Sequence, residues 1–399
     1  MSKWTKTTLG KIADIITGPF GSQLHQSDYV KRGIPIVMPQ DIGNRNINYS
    51  TINYVSEEDA TRLKRYSTVT NDILYARRGD VEKHAFVRAK DAGVLCGTGC
   101  LRVRINSNEV ESAFLSFYLN REETRKWLVT HAVGTNMPNL NTDILSDVPI
   151  AYPTLKEQRK IVKVLNCLEE RIVLNEKIND NLEQQAATYF QELFINNANP
   201  MWQISTISDL GTVVGGSTPS KTKPEYYTNN GIAWITPKDL SINKSKFISH
   251  GENDITELGL KNSSATVMPK GTVLFSSRAP IGYIAIASNE VTTNQGFKSV
   301  IPYSEIGTAF VYFFLKHSLP VIESAASGST FKEISGSAMK NIPAIIPDRN
   351  TLDQFNSFCA PIFAQQKILE EQNHSLAMLR DSLLPKLMSG AIDIASIQI

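Results

Sequence analysis

Between Pro153 and Phe194 the apolar positions recur at alternating steps of four and three. One series runs Ile161, Leu168, Asn175, Leu182, Tyr189, and the other Leu165, Ile172, Asn179, Ala186, Leu193. Interleaved, they form the seam of a coiled-coil helix. Thr154 and Glu157 supply a T-x-x-E capping box at its start, directly after Pro153. Such a helix is roughly 60 Å long. A second seam follows Thr351: Phe358, Ile362, Gln365, Leu369, Gln372, Leu376, Leu379, Leu383. Thr351 with Gln354 repeats the capping box, while Pro361 and Pro385 predict a kink or break inside this helix.

A seam on a lone helix is unstable in water, so the two segments are expected to pair. A pseudo-two-fold relation between them predicts antiparallel helices. Asn175 and Gln372 then meet near the middle, where a buried polar pair fixes register; the alternative is that both face water. The expected interface comprises Leu165, Leu168, Ile172, Asn175 and Leu182 on one helix and Leu369, Gln372, Leu376 and Leu379 on the other.

The remaining pattern repeats as well. KWTKTTLGKIADIITG at Lys3–Gly18 lies against MWQISTISDLGTVVGG at Met201–Gly216, and GIPIVMPQDI at Gly33–Ile42 against GIAWITPKDL at Gly231–Leu240. DILYARR at Asp72–Arg78 matches TVLFSSR at Thr272–Arg278, and SDVPIAYP at Ser146–Pro153 matches KNIPAIIP at Lys340–Pro347. Four blocks in one order at nearly one spacing, close to half the chain, indicate a duplicated unit of globular domain plus helix. VMPQDI, DILYARR and LRVRI predict strands in the first copy, and AWITPKDL, GTVLFSS and GYIAIAS in the second. Ala113–Trp127 and Thr308–His317 predict helices. The expected class is α+β: two globular domains, at 1–153 and 199–350, separated by long antiparallel helices at 154–198 and 351–399.

Composition narrows the setting. Hydrophobic residues make up 41% and charged residues 20%, an ordinary globular balance. No apolar run approaches the ~20 residues of a membrane span, MSKWTKTTLGK lacks a signal-peptide core, and four cysteines are too few for a disulfide scaffold. A reduced, cytoplasmic protein is expected. The net charge of +2 is unevenly spread: residues 1–153 carry +3 and 201–350 carry +2, against −1 for 154–200 and −2 for 351–399. The globular parts are mildly basic, compatible with phosphate contact and far below a dedicated nucleic-acid binder.

Catalytic signatures are missing. There is no Pro-Pro pair, and so no D/N-P-P-Y/F sequence of a base-amino methyltransferase. The stretch after Gly215 has Ser220 where a P-loop needs glycine. Cys96 and Cys100 lack a second ligand pair, although His84 and His131 share their domain; packed, reduced thiols are expected instead of zinc. The weight shifts from catalysis towards binding.

At this point the residues carry a resemblance. The layout of domain, helix, domain, helix resembles the specificity subunit of type I restriction–modification systems. LRDSLLPKLMSGAIDI at Leu379–Ile394 is similar to that family's closing sequence. The opening W-x3-T-L-G-x-I from Trp4 to Ile12, and TPSKTKPEYYTNNGIAWITPKDL at Thr218–Leu240, resemble its target-recognition domains. The resemblance implies a non-catalytic reader of double-stranded DNA, each domain reading half of a bipartite, asymmetric site. It implies helices that set the gap between halves and dock two methyltransferase subunits and, where present, two restriction subunits. S-adenosylmethionine, ATP and Mg are then expected on those partners, with no cofactor or metal on this chain and no membrane. The competing class is a tandem-domain adaptor for proteins, without a DNA role.

Arg forks onto guanine, Asn and Gln onto adenine, and small-residue loops approach phosphates. On that chemistry the DNA candidates in the first copy are Ser22, Gln23, Gln40, Arg45, Arg77, Arg78 and Asn136. In the second they are Ser217, Thr218, Lys221, Lys223, Tyr227, Lys238, Ser277, Arg278, Thr330 and Lys332. Arg77, Arg78 and Arg278 lead, because they follow a short strand at matching places. Their alternative role is a framework salt bridge with Asp80 or another acid.

Overall fold

The computed structural model describes residues 4–134, 138–328 and 332–394. It mixes strands with helices, two of them long: a central helix, Leu155–Gln191, and a closing helix, Arg349–Met388. The chain divides into two compact units. The first comprises Met1–Arg171 with Leu376–Ile399, and the second Ile172–Ser375.

In the first unit an antiparallel sheet orders its strands Ala13–Thr17, Cys100–Ile105, Ile73–Ala76, His84–Phe86. A second sheet runs Tyr29–Val30, Asn53–Val55, Ile34–Val37, Leu95–Cys96, its last pair parallel. Thr5–Thr8 pairs with Pro149–Tyr152. Ile73–Ala76 shows why DILYARR lacks polar alternation. Ile73 and Tyr75 enter a core shared with helix Ser112–Leu119, while Leu74 and Ala76 enter another behind the second sheet. Side chains alternate across a strand, so one buried on both faces is apolar throughout. The first core also takes Ile161 and Leu165 from the central helix and Leu384, Leu387 and Met388 from the closing helix.

The second unit has a five-stranded sheet, ordered Gly211–Gly215, Lys298–Pro302, Val273–Ser277, Ile281–Ala287, Phe247–Ile248. Its four-stranded sheet runs Tyr227–Thr228, Asn253–Ile255, Ile232–Ile235, Thr292–Thr293, and Gln203–Thr206 pairs with Pro343–Ile346. Val273 and Phe275 face one core and Leu274 the other. Between the long helices, Asn175 meets Asn373, Gln366 Nε2 donates to the Asn179 carbonyl at 3.1 Å, and Gln354 Nε2 to the Tyr189 hydroxyl at 2.6 Å. Ascending numbers on one helix face descending numbers on the other.

Several sequence expectations are corrected. The strand expected in VMPQDI stops at Val37, and Pro39–Asp41 is a 3-10 turn; AWITPKDL likewise gives strand Ile232–Ile235 and then helix Pro237–Ile242. Proline at the first helical position starts a helix without losing a needed donor. The Ala113–Trp127 segment is two helices, Ser112–Leu119 and Glu122–His131. At the start of the central helix the Glu157 carboxylate accepts from the Thr154 amide at 3.1 Å and from its hydroxyl at 2.6 Å. The closing helix is capped by Asp348 instead, which accepts from the Thr351 amide and hydroxyl at 3.0 and 2.9 Å; Gln354 turns to Tyr189. Pro361 and Pro385 do not break that helix. Each removes one amide, while neighbours Cys359, Ile362, Leu384 and Leu387 are buried and hold the turns in place.

The closing helix also buries a different line from the expected one. Its buried positions run Leu352, Phe355, Cys359, Ile362, Gln366 and Leu369, and then Leu384, Leu387 and Met388. Ile362 and Leu369 belong to both lines, and Leu376 is half-buried. Phe358 and Leu379 are 40% and 47% exposed, and Gln365 and Gln372 are exposed too, although Gln372 Oε1 accepts from Asn175 Nδ2 at 3.4 Å, the contact expected from the sequence. One of the two heptad series is displaced by one residue, to Cys359, Gln366 and Asn373.

Candidate nucleic-acid interface

In each unit one end of the larger sheet gathers loops from several strands. In the first, Gly18 follows strand Ala13–Thr17, its amide bonded to the Cys100 carbonyl at 2.9 Å. A Cβ at Gly18 would lie 2.0 Å from the Gly97 carbonyl oxygen, so only glycine permits this approach. The Arg77 amide donates to Gly99 O at 2.7 Å, and Arg78 bridges to Asn139. The Gly18, Gly97–Gly99, Arg77–Arg78 and Asn139 segments thus share one edge.

The second unit builds the same edge from Gly216, Asn294–Gly296, Ser277–Arg278 and Glu333. A Cβ at Gly216 would lie 2.1 Å from Asn294 O. Ser277 N donates to Gly296 O at 2.7 Å, and Arg278 bridges to Glu333. Thr218 donates its hydroxyl to Gln295 Oε1, and Trp234 Nε1 donates to Ser217 O at 3.0 Å. Asn139 closes the candidate segment 135–139 of the sequence, whereas Gln295, Lys298 and Glu333 were not singled out. The glycines of GTGC at Gly97–Cys100 and NQGF at Asn294–Phe297 were the available signal.

Arg77 is half-buried and Arg78 exposed, and neither forms an ion pair among the described residues. Asp80 is paired with Lys83 at 2.5 Å instead. Ser22, Gln40, Lys221 and Lys332 are exposed. Gln23 is exposed, but its side chain accepts from the Tyr66 hydroxyl at 2.7 Å. Lys223 lies on Tyr226, and Tyr227 donates to Pro219 O at 2.6 Å beside Trp234. Lys238 pairs with Glu252 at 2.6 Å with both side chains largely in water. Asn136 and Thr330 lie outside the described residues.

Two candidates are corrected. Ser277 is fully enclosed, at the end of a strand buried along its whole length. Arg45 is turned inward at 3% exposure. It stands at φ 59°, its amide held by His84 O at 2.8 Å. Its guanidinium lies 3.3 Å from the centre of the Phe117 ring, donates Nε to Ser116 Oγ at 2.9 Å, and pairs with Glu169 of the central helix at 2.6 Å. Burial lowers its pKa to about 10, against the raising effect of Glu169. The same burial, with Arg45 adjacent, lowers His84 to about 3. His84 Nε2 shares Ser116 Oγ at 2.9 Å.

A buried cation does the same work in the second unit. Lys246 Nζ lies 4.1 Å from the Phe363 ring centre and 4.7 Å from that of Tyr312, and donates to Gln366 Oε1 at 2.6 Å. It pairs with Glu183, which Lys316 also reaches at 2.6 Å. Burial raises the Glu183 carboxyl, but the two lysines bring it below its ordinary range. Glu370 accepts from the Lys246 and Phe247 amides at 2.8 and 3.1 Å. Both cations tie a loop of the globular part to a long helix and so fix the sheet against it.

Among the described residues no cluster of three or more metal-ligating side chains is present, and no helix is long and apolar enough to cross a membrane. Cys96 and Cys100 are buried free thiols; burial raises Cys96 to about 12 and Cys100 well above the ordinary thiol value.

The family model described as "Type I restriction modification DNA specificity domain" matches residues 1–184 and again 199–373. The MjaIX type I restriction enzyme specificity subunit of Methanocaldococcus jannaschii is 43% identical over 162 residues, 40% of this chain and 37% of that protein. The HindI specificity subunit of Haemophilus influenzae is 22% identical over 470 residues, covering 98% of this chain and 100% of the relative. The crystal structure of a type I S subunit from M. genitalium shares the fold at a TM-score of 0.58 and 18% identity, over 97% of this chain and 96% of that one. With the family model matching twice along most of its length, the chain belongs to the type I restriction–modification DNA specificity subunits.

Proposed function

We propose that this specificity subunit reads a bipartite, asymmetric DNA site, one half with each sheet end. The observation that supports this most is the recurrence of one edge: a glycine-permitted loop approach, then an arginine bridged to a return segment, at Arg78–Asn139 and at Arg278–Glu333. Two different read heads on one framework are what two unlike half-sites require. Arg77, Arg78 and Arg278 are the base or phosphate contacts of these heads, with Ser22, Ser217, Thr218, Lys221 and Lys332 around them.

On this reading the chain is a duplicated unit with a pseudo-two-fold relation, its reading domains at 1–153 and 199–350. The helical parts, 154–198 and 351–399, space the heads and carry two methyltransferase subunits and, where the system has them, two restriction subunits. The chain itself does no catalysis. Transfer of a methyl group from S-adenosylmethionine to adenine N6, and any ATP- and Mg-dependent cleavage, belong to those partners in the cytoplasm.

Methylome sequencing tests the reading. With the gene intact, a bipartite motif with methylated adenines is expected; deleting this gene alone removes it. An unchanged methylome, with the partner subunits expressed, overturns the proposal.

A further inference from the structure

The two sheet ends share their bridges but differ in charge: Arg77 stands where the second end has Ser277, and Asn139 where it has Glu333. In the first unit Asn139 bridges both Val133 and Arg78; in the second Glu333 bridges both Ser327 and Arg278. Asn139 and Glu333 therefore occupy the same place in the framework.

Their consequences differ. Asn139 is neutral, and its side-chain amide lies 3.1 Å from the carbonyls of Arg77 and Leu140, which accept from it when its nitrogen is turned towards them. It takes nothing from the Arg77 and Arg78 guanidinium groups. The Glu333 carboxylate instead reaches Arg278 at 3.2 Å with one oxygen and Lys298 at 3.7 Å with the other. Arg278 is 38% exposed and Glu333 37%, while Lys298 is held nearer the interior at 16%. The carboxylate thus sits over two cations, at the edge that also presents Thr218 and Gln295, and it remains open to solvent.

We propose that Glu333 is an internal competitor for DNA at the second read head. It occupies Arg278 and Lys298 in the free protein, and a phosphate or a guanine edge must displace it. Among the described residues the first head, with Asn139 in that place, carries no such competitor. Position 139/333 therefore adds to the difference between Arg77 and Ser277 in setting the share of affinity contributed by each half. A half-exposed ion pair is weak in water, so DNA can displace it. It still subtracts from the counterion release on which phosphate binding depends. This inference rests on the reading that the sheet ends face DNA.

The test uses the full chain and a random-sequence DNA duplex, with affinity measured by fluorescence anisotropy from about 50 to about 200 mM salt. Glu333→Asn places the first head's residue in the second, and Glu333→Gln keeps the side-chain shape. Both are expected to tighten binding by roughly threefold to tenfold and to steepen the salt slope by about one. Asn139→Glu is expected to do the reverse at the first head. Arg278→Ala costs little alone and several times more on the Glu333→Gln background, because only there is the guanidinium free.

Unchanged affinity and slope in both Glu333 variants overturns the proposal, as does an equal cost of Arg278→Ala in both backgrounds. If Arg77→Ala and Arg78→Ala still weaken binding in that case, the DNA-facing reading stands and only the role of Glu333 falls. If no arginine variant at either head changes binding, the placement of DNA fails and the competitor role fails with it. Melting temperatures measured alongside separate either result from loss of fold.

Discussion

Arg45 pairs with Glu169 at 2.6 Å across 124 residues of sequence, with its guanidinium laid on the Phe117 ring. The pair ties a loop of the first globular part to the central helix. Removing one member of a buried pair strands the other, at a cost of about 3–5 kcal/mol. Arg45→Met is expected to lower the midpoint of thermal unfolding by several degrees. Lys246→Met is expected to cost less, because Glu183 keeps Lys316 at 2.6 Å, whereas Glu169 keeps only Arg88 at 3.6 Å. Equal losses, read by calorimetry, contradict this ordering.

His84 gives the fold a pH dependence of defined sign. It is buried and its pKa is lowered from 6.5 to about 3, by burial first and by Arg45 next. Between those values the unfolded chain binds a proton that the folded chain does not. Stability is then complete above about pH 6.5 and falls by up to about 1.4 kcal/mol per pH unit as pH drops towards 3. His84→Gln is expected to reduce the slope of unfolding free energy against pH by about one proton between pH 6 and 4. An identical slope in the variant rules out this linkage.

Asn175 is fully buried between the long helices, its Nδ2 2.8 Å from Asn373 Oδ1 and 3.4 Å from Gln372 Oε1. Asn373 returns a bond to the Ile172 carbonyl at 3.3 Å. Asn175→Ala alone leaves these groups unmatched and is expected to cost about 1–3 kcal/mol. Asn175→Leu combined with Asn373→Leu is expected to recover that loss in denaturant unfolding. In a chain without the exposed Cys167, Asn175→Cys is expected to cross-link faster with Asn373→Cys than with Gln372→Cys. The opposite order contradicts the register.

Arg77 and Arg78 separate binding from stability. Neither makes an ion pair among the described residues, so alanine at either position is expected to leave the melting temperature within a degree or so. If the arginine meets a phosphate, the slope of log affinity against log salt shrinks by about 0.9 for each one removed. If it reads guanine, discrimination at one base pair is lost instead. Unchanged binding, salt slope and base preference for both variants removes them from the interface.

The central helix was legible because its seam is mostly apolar: Ile161 and Leu165 are both buried. The closing helix was legible in extent but not in face. Its inward line passes through buried Gln366 and half-buried Asn373, while apolar Phe358 and Leu379 lie outward, so hydrophobicity alone pointed one residue away. Phe358 is exposed yet packs on Tyr189 with ring centres 4.5 Å apart, a contact that periodicity does not encode. At the sheet ends, Arg77 and Arg78 were visible as a basic pair after a strand. Arg45 had the look of a solvated loop residue, set between Asn44 and Asn46. Its burial depends on Phe117, Ser116 and Glu169, all distant in sequence and brought to it only by tertiary packing. Glu333 was missed for the same reason: its partner Arg278 lies 55 residues away.

The division of the chain sets an order of assembly on the ribosome. The second unit is one uninterrupted stretch, Ile172–Ser375, and the first is completed only by Leu376–Ile399. During synthesis the core around Ile161 and Leu165 therefore lacks its last side chains, Leu384, Leu387 and Met388, until those residues are made. The earlier-made globular part is the later one to close, and for that interval its apolar helix face is the part of the nascent chain that a chaperone has most reason to hold.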